Sequence, residues 1–162
     1  MNKKWSNTVL VAYSALPKIV KELDFSLARL VKSSFKSVHL KNGVSNLQLI
    51  GEIMEVNDEK RKIVNLRYIV SAALDKLTDT NRAILAGRIF KKQTFKELAQ
   101  ELDLSIRTLY RRFQDAEKEF DHHLKVAGYT EEWFEKEYGD DKYISHIHER
   151  LLQDKYLTTN NL

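Results

Sequence analysis

The residues best suited to chemistry lie on a predicted helix that follows Ser105. A helical period turns Leu109 and Phe113 inward and leaves arginine-rich positions on the outer face, where no acid occurs. Arginine binds guanine edges or phosphates, glutamine pairs with adenine and threonine meets a thymine methyl group. The pattern therefore predicts DNA contacts from this outer face, with Arg112 near its edge. The other residues of the face are Arg107, Thr108, Tyr110, Arg111 and Gln114.

A second basic group precedes this helix. Between Asn81 and Lys96 the chain has five basic residues and no acid. Contacts to phosphate set the affinity and register of a DNA complex without reading its sequence. We expect this role for Arg82, Arg88, Lys91, Lys92 and Lys96.

Two short helices and a tight turn are predicted to position the outer face. Apolar residues from Phe95 to Leu102 recur at helical spacing, and the pattern breaks at Asp103 and Leu104. Ser105 then occupies an N-cap position. A helix–turn–helix with an arginine-rich second helix suits the major groove of DNA. The alternative is an ordinary packed helix pair, for which acids and lysines would mix on that outer face.

The segment from Leu77 to Ala116 resembles the last DNA-binding domain of sigma-70 factors, which reads the −35 promoter element. The resemblance implies a trihelical fold whose last helix meets DNA through Ile106, Arg107, Thr108, Tyr110 and Arg111. The same pattern occurs in response-regulator output domains and in phage late-gene activators. The residues that match the family pattern without a gap are Thr94, Phe95, Glu97, Leu98, Ala99, Glu101, Leu102, Leu104 and Ser105.

Composition places the chain among globular proteins. Its 162 residues suffice for one domain or two small ones, and the 43% apolar content argues against disorder. The absence of cysteine removes disulfides and thiolate metal sites and fits a reducing cytoplasm, the expected location. No apolar stretch approaches the roughly 20 residues that a membrane helix needs. No membrane partner is therefore expected.

Apolar periodicity predicts an all-α protein with three parts. Residues 1–76 form a helical support or oligomerisation domain, 77–127 the DNA-binding domain and 128–162 a helical extension. A loop is expected at residues 41–43, with a cap at Ser45 and a helix start at Asn57 or Asp58. The helix from Ile63 to Leu77 is apolar nearly all round, which indicates a central pillar. Part of its surface could instead be a dimer contact.

Charge divides unevenly along the chain. Residues 1–40 contain seven Lys and Arg residues against two acids, whereas residues 126–162 contain eight acids against four bases. A basic front and an acidic tail suit a protein that presents one face to a polyanion. The alternative is the mixed charge of any helical surface.

The sequence offers no enzyme chemistry. Four of the five histidines occur late in the chain, as His122–His123 and as His146 and His148, and neither spacing is the i, i+4 pattern that helical metal sites use. Gly-rich phosphate loops and nucleophile-elbow motifs are absent. We therefore expect no enzyme activity, no metal and no cofactor.

These patterns favour a DNA-binding regulator of transcription, such as a phage or mobile-element activator. The first alternative is a stand-alone sigma-like factor that acts with RNA polymerase. The second is a small-terminase-like DNA-packaging protein, for which a ring-forming homo-oligomer is expected. The third is an interaction protein whose helix–turn–helix does not bind DNA.

Overall fold

The computed structural model describes residues 4–37 and 46–158, and every regular element in those two ranges is helical. The prediction of an all-α protein is confirmed. The predicted loop at residues 41–43 and the predicted cap at Ser45 lie outside the described ranges. The α-helices are α1 (Trp5–Ala12), α2 (Leu16–Ser37), α3 (Asn46–Asp75), α4 (Asp79–Leu85), α5 (Phe95–Glu101), α6 (Ile106–Val126), α7 (Glu131–Tyr138) and α8 (Ile144–Thr158). A π-helical segment, Ala86–Phe90, continues α4.

Hydroxyl caps start four of the helices. Thr78, Thr94, Ser105 and Thr130 accept hydrogen bonds from backbone N–H groups three residues later, at 3.1–3.4 Å. At α5 the Glu97 carboxylate also accepts from the Thr94 backbone N–H at 2.7 Å, which completes a capping box. The bonds from the Thr94 backbone and hydroxyl lower the pKa of Glu97. These local bonds fix where α4, α5, α6 and α7 begin.

The contacts of the chain group it into two compact units. The first unit comprises Met1–Ser14 and Ile69–Leu162, and the second comprises Ala15–Tyr68. This grouping differs from the predicted division at 76 and 127, because α1 belongs with the C-terminal helices. The periodicity of α1 gives its apolar face but cannot identify the helices that cover it.

Long-range hydrogen bonds attach α1 within the first unit. The backbone N–H of Trp5 donates to Glu131 Oε2 at 2.8 Å, and its indole Nε1 donates to Glu135 Oε2 at 2.9 Å. Lys4 Nζ lies 3.1 Å from Asp121 Oδ2 on α6. Burial raises the pKa of Asp121, but hydrogen bonds from Lys125 and Lys4 outweigh it and hold that pKa below its ordinary value.

The second unit contains α2 and most of α3. The Lys60 ammonium lies 2.5 Å from Asp24 Oδ1 and so joins the two helices. The predicted helix start at Asn57 or Asp58 is wrong, since α3 continues through both positions as one helix of 30 residues. The helix continues because a polar residue at an exposed helix position costs only tenths of a kcal/mol relative to Ala, roughly 0.7 or less.

The helix predicted as a pillar has a buried stripe rather than an apolar surface on all sides. Ile63, Leu66 and Val70 are fully buried on α3. Val64 and Tyr68 on the same helix are 46% and 73% exposed. The buried stripe therefore includes only some of the apolar residues of this helix, and others are exposed.

Candidate nucleic-acid interface

A small apolar core lies beneath α4, α5 and α6. Ile84, Leu98, Ala99 and Leu109 are buried within it. Four partly buried apolar residues pack against this core: Phe95, Leu102, Leu104 and Phe113. Because all three helices contribute to one core, the start of α6 is held at a fixed angle to α5.

The turn between α5 and α6 is short and well bonded. Asp103 adopts a left-handed conformation with φ of 52°, which Asp tolerates better than bulky residues do. The N–H of Leu104 donates to the Ala99 carbonyl at 2.9 Å. Ser105 then caps α6 through the Thr108 N–H at 3.1 Å. The break predicted at Asp103 and the cap predicted at Ser105 are both confirmed.

The first two turns of α6 present three uncommitted guanidinium groups. Arg107, Arg111 and Arg112 are exposed, and within residues 4–37 and 46–158 their side chains form no hydrogen bond or ion pair. Gln114 is exposed on the next turn. Cations without internal partners on a surface remain available to an anionic ligand, so this part of α6 is positively charged toward solvent.

Three further residues are predicted to contact DNA. Two of them pack against or bond other side chains, and the third is more exposed than its helical position suggests. Ile106, which the period places on the inner face, is 49% exposed. The Thr108 hydroxyl accepts from Ser105 Oγ at 2.8 Å and is half-buried. Tyr110 is 49% exposed, and one face of its ring stacks on Phe95 with centroids 4.1 Å apart. The structure thus brings all three to the surface beside the arginines.

Two of the five predicted phosphate contacts have internal partners. The Arg82 guanidinium donates to the carbonyls of Leu74, Asp75 and Leu77, at 3.1, 2.8 and 3.3 Å. It thereby satisfies carbonyls at the end of α3, which have no partner within the helix. Arg82 therefore supports the fold, although its type and position predicted a DNA contact.

Arg88 has an internal role as well. Its Nη1 donates to the Gln93 carbonyl at 2.9 Å, and its guanidinium carbon lies 4.6 Å from the centre of the Phe95 ring. The remaining three basic residues of this group, Lys91, Lys92 and Lys96, are exposed. The free positive charge just before α5 and in its first turn therefore comes from lysines.

The π-helical segment places Gly87 close against α5. A Cβ atom on Gly87 would lie 2.6 Å from both Leu98 Cδ1 and Gln93 Oε1. Lys92, just past the segment, has a φ of 55°, which non-glycine residues seldom adopt.

Two of the acidic residues near the C-terminus contact α1 instead of the α6 arginines. Glu131 and Glu135 accept hydrogen bonds from Trp5. On α6 itself, the Glu119 carboxylate accepts from Asn81 and from the Thr78 backbone N–H. These carboxylates join α1 to α7 and α4 to α6, and they leave the arginine-bearing surface open.

A cleft beside α6 was not foreseen. It has a volume of about 610 Å³ and is lined by the π segment, α1, α5, α6 and α8. Tyr110 and Gln114 of α6 face it, as do Val11 and Leu152. We call it the α6 cleft. Each lining face repeats at helical spacing in the sequence, but spacing does not show which faces meet.

The histidines occupy separate environments. His148 Nδ1 lies 2.6 Å from the Thr8 hydroxyl, and the rings of His122 and His123 are 5.8 Å apart. In the described ranges, no group of three or more His, Asp or Glu side chains could hold a metal ion. None of the helices described has the length and apolarity to span a membrane. Comparison of the chain with protein-family models, curated proteins and solved structures finds no match.

Proposed function

We propose that this chain is a sequence-specific DNA-binding protein that regulates transcription. In this proposal α4, α5 and α6 are a helix–turn–helix domain like the last domain of sigma-70 factors. The observation that carries it is a set of three exposed guanidinium groups on one helix, Arg107, Arg111 and Arg112, which have no partner among the residues that the structure describes. An ordinary packed helix gains nothing from unpaired like charges on successive turns, since like charges at i, i+4 repel.

Each part of the surface has a distinct role in the proposed complex. Arg107 and Arg111 bond base edges in the major groove, and guanine is the base that arginine binds best. Arg112 and the exposed lysines Lys91, Lys92 and Lys96 bind phosphates and set the register. Arg88 acts indirectly, because it bonds the backbone at Gln93, next to Lys92, and Arg82 supports the fold at the end of α3. Thr108 and Gln114 complete the surface that reads bases.

Selection from a random duplex library tests the proposal. The full chain is expected to enrich a defined motif, and binding to that motif should weaken with salt. Each phosphate contact contributes a slope of about −0.9 in log affinity against log salt concentration. A selected pool indistinguishable from the starting library would overturn the proposal.

A second copy of the chain is the proposed partner of the second unit. Large apolar side chains on α2 and the first half of α3 are exposed, and apolar residues that share a surface indicate an interaction site. They are Phe25, Phe35, Leu47, Ile50 and Met54, each at least 53% exposed. Paired helix–turn–helix domains bind two half-sites, which raises affinity for a palindrome.

Light scattering of the full chain separates the assemblies. A dimer is the result expected for a regulator, and its selected DNA motif should be a palindrome. A larger ring would favour the DNA-packaging alternative. A strict monomer at high concentration would contradict self-association through these helices.

A further inference from the structure

The α6 cleft has the size and construction of a small-molecule site. Its volume of about 610 Å³ lies inside the range of roughly 300–1,000 Å³ that is usual for ligand pockets. Tyr110, Phe113 and Gln114 lie on one face of α6, and His148 and Leu152 lie on one face of α8. Helices therefore form the walls of the cleft.

Aromatic rings and cations meet at one end of the cleft. The Arg88 guanidinium lies over Phe95, and Phe95 stacks on Tyr110. Lys92 also lines the cleft, and it follows Arg88 by four residues in the chain. The acid in the lining, Glu117, lies seven residues along α6 from Tyr110, which is about 10 Å on a helix.

The cations at this end retain capacity for a ligand. Arg88 uses one guanidinium nitrogen for the Gln93 carbonyl. A guanidinium has five N–H donors, so further donors remain. Lys92 is exposed, and its side chain has no ion pair among the described residues. The backbone here combines a π-helical segment with a left-handed Lys92, and π segments often occur at functional sites.

We propose that the α6 cleft binds a small aromatic anion, either an aromatic carboxylate or an aromatic phosphate monoester. Arg88 and Lys92 hold the anionic group through charge-assisted hydrogen bonds. The aromatic body lies against Phe113 on one side and the aliphatic Val11 and Leu152 on the other. Apolar walls with a few convergent polar groups favour this kind of amphipathic ligand.

Binding in the cleft also regulates the DNA-reading surface, and this step rests on the proposed function. Tyr110 and Gln114 line the cleft and belong to the surface proposed to meet DNA. A ligand seated against them occupies space that the DNA complex needs. It therefore lowers DNA affinity, and by thermodynamic linkage DNA lowers the ligand's affinity by the same factor.

Calorimetric titration of the DNA-free chain tests the site itself. The probes are naphthoate and naphthyl phosphate, and naphthamide is the neutral control. We expect saturable binding of at least one anion and binding at least about tenfold weaker for naphthamide, because the neutral amide cannot accept charge-assisted hydrogen bonds as an anion does. Failure of both anions to bind up to their solubility limits would overturn the site.

Two variants assign the anion contacts. Arg88→Gln and Lys92→Asn should each weaken anion binding by at least about tenfold. Asn tolerates the left-handed backbone of Lys92, so this variant tests the charge even where Arg88→Gln perturbs folding. Lys118→Gln removes an exposed charge of α6 that does not line the cleft. An equal loss in Lys118→Gln and Lys92→Asn would contradict the assignment.

Titration with the selected duplex tests the coupling separately. Saturating naphthoate or naphthyl phosphate, whichever binds the free chain, should weaken duplex binding at least several-fold. An unchanged duplex affinity with the cleft occupied would overturn the regulatory step and leave DNA binding intact. A chain that binds the anion and no duplex would overturn both the regulatory step and the proposed function, while the ligand site would stand.

Discussion

The rings of Phe95 and Tyr110 stack with centroids 4.1 Å apart and planes 18° apart. Phe113 meets the same Phe95 ring edge-on, with centroids 5.5 Å apart. One residue at the start of α5 thus contacts two neighbouring turns of α6. This contact lies at the base of the arginine-bearing surface, so it sets the orientation in which α6 is presented.

We predict that the stack contributes to stability independently of the tyrosine hydroxyl. Tyr110→Leu should lower the free energy of unfolding by about 0.5–1.5 kcal/mol, the usual contribution of an aromatic pair beyond its buried area. Tyr110→Phe retains the ring and should change it by less than about 0.5 kcal/mol. Urea denaturation followed by circular dichroism measures both. Equal losses in the two variants would show that the hydroxyl carries the effect.

Gly87 is expected to tolerate no side chain. Ala is the better helix former by about 1 kcal/mol, but a Cβ at Gly87 would lie 2.6 Å from Leu98 Cδ1 in the core. Overpacking costs about 1–3 kcal/mol, so Gly87→Ala should destabilise the chain. Gly51→Ala is the matched control, because no heavy atom lies within 4 Å of its Cβ position. The prediction fails if thermal unfolding shows the two variants shifted in the same direction.

Substitutions of Arg82 and Lys91 should distinguish a residue that stabilises the fold from a residue that binds DNA. Arg82→Gln removes charged hydrogen bonds to the end of α3 and should cost about 1.5–3 kcal/mol of stability. Lys91→Gln should leave stability within about 0.5 kcal/mol and weaken binding to all duplexes alike. Chemical denaturation and duplex titration measure the two effects. A stable Arg82→Gln variant with weakened DNA binding would restore Arg82 as a phosphate contact.

Acid should weaken the attachment of α1 to α6 through Asp121. Its pKa is lowered in the folded chain, so its contribution to stability is present above the unfolded value of about 3.9 and is lost as pH falls through the folded value. Asp121→Asn should cost about 1–3 kcal/mol at neutral pH. The difference from the unsubstituted chain should shrink below about pH 4.

Asp140→Asn provides the comparison for that titration. Asp140 is exposed in the segment between α7 and α8, so its substitution should change stability by less than about 0.5 kcal/mol. Urea midpoints measured from neutral to acid pH give both curves. A difference between the chain and Asp121→Asn that stays constant down to pH 2 would contradict the assigned role of Asp121.

Sequence reasoning succeeded where the cause is local. The predicted cap Ser105 starts α6, because its side chain accepts a hydrogen bond from the backbone N–H of Thr108, three residues away. The buried face of α6 follows from the helical period, since Leu109, Ala116, Phe120 and Leu124 are all buried. Such features depend on neighbours within one or two turns, which the sequence shows directly.

Features that depend on distant partners could not be predicted. Trp5 and Glu131 are 126 positions apart, so no periodicity links α1 to α7. An arginine can bind a phosphate or a backbone carbonyl equally well, and only the fold determines which carbonyls Arg82 and Arg88 bind. The α6 cleft arises from five separate elements, each of which looks like an ordinary apolar face alone.

The affinity of Arg111→Ala for the selected duplex, measured beside Arg150→Ala, tests the central claim most directly. Both arginines are exposed, but only Arg111 lies on the proposed reading surface. Arg111→Ala should cost about 1–3 kcal/mol of binding and relax base preference at one position of the motif. Arg150→Ala should bind as the unsubstituted chain does. Equal affinities and unchanged base preference in the two variants would contradict DNA reading by α6.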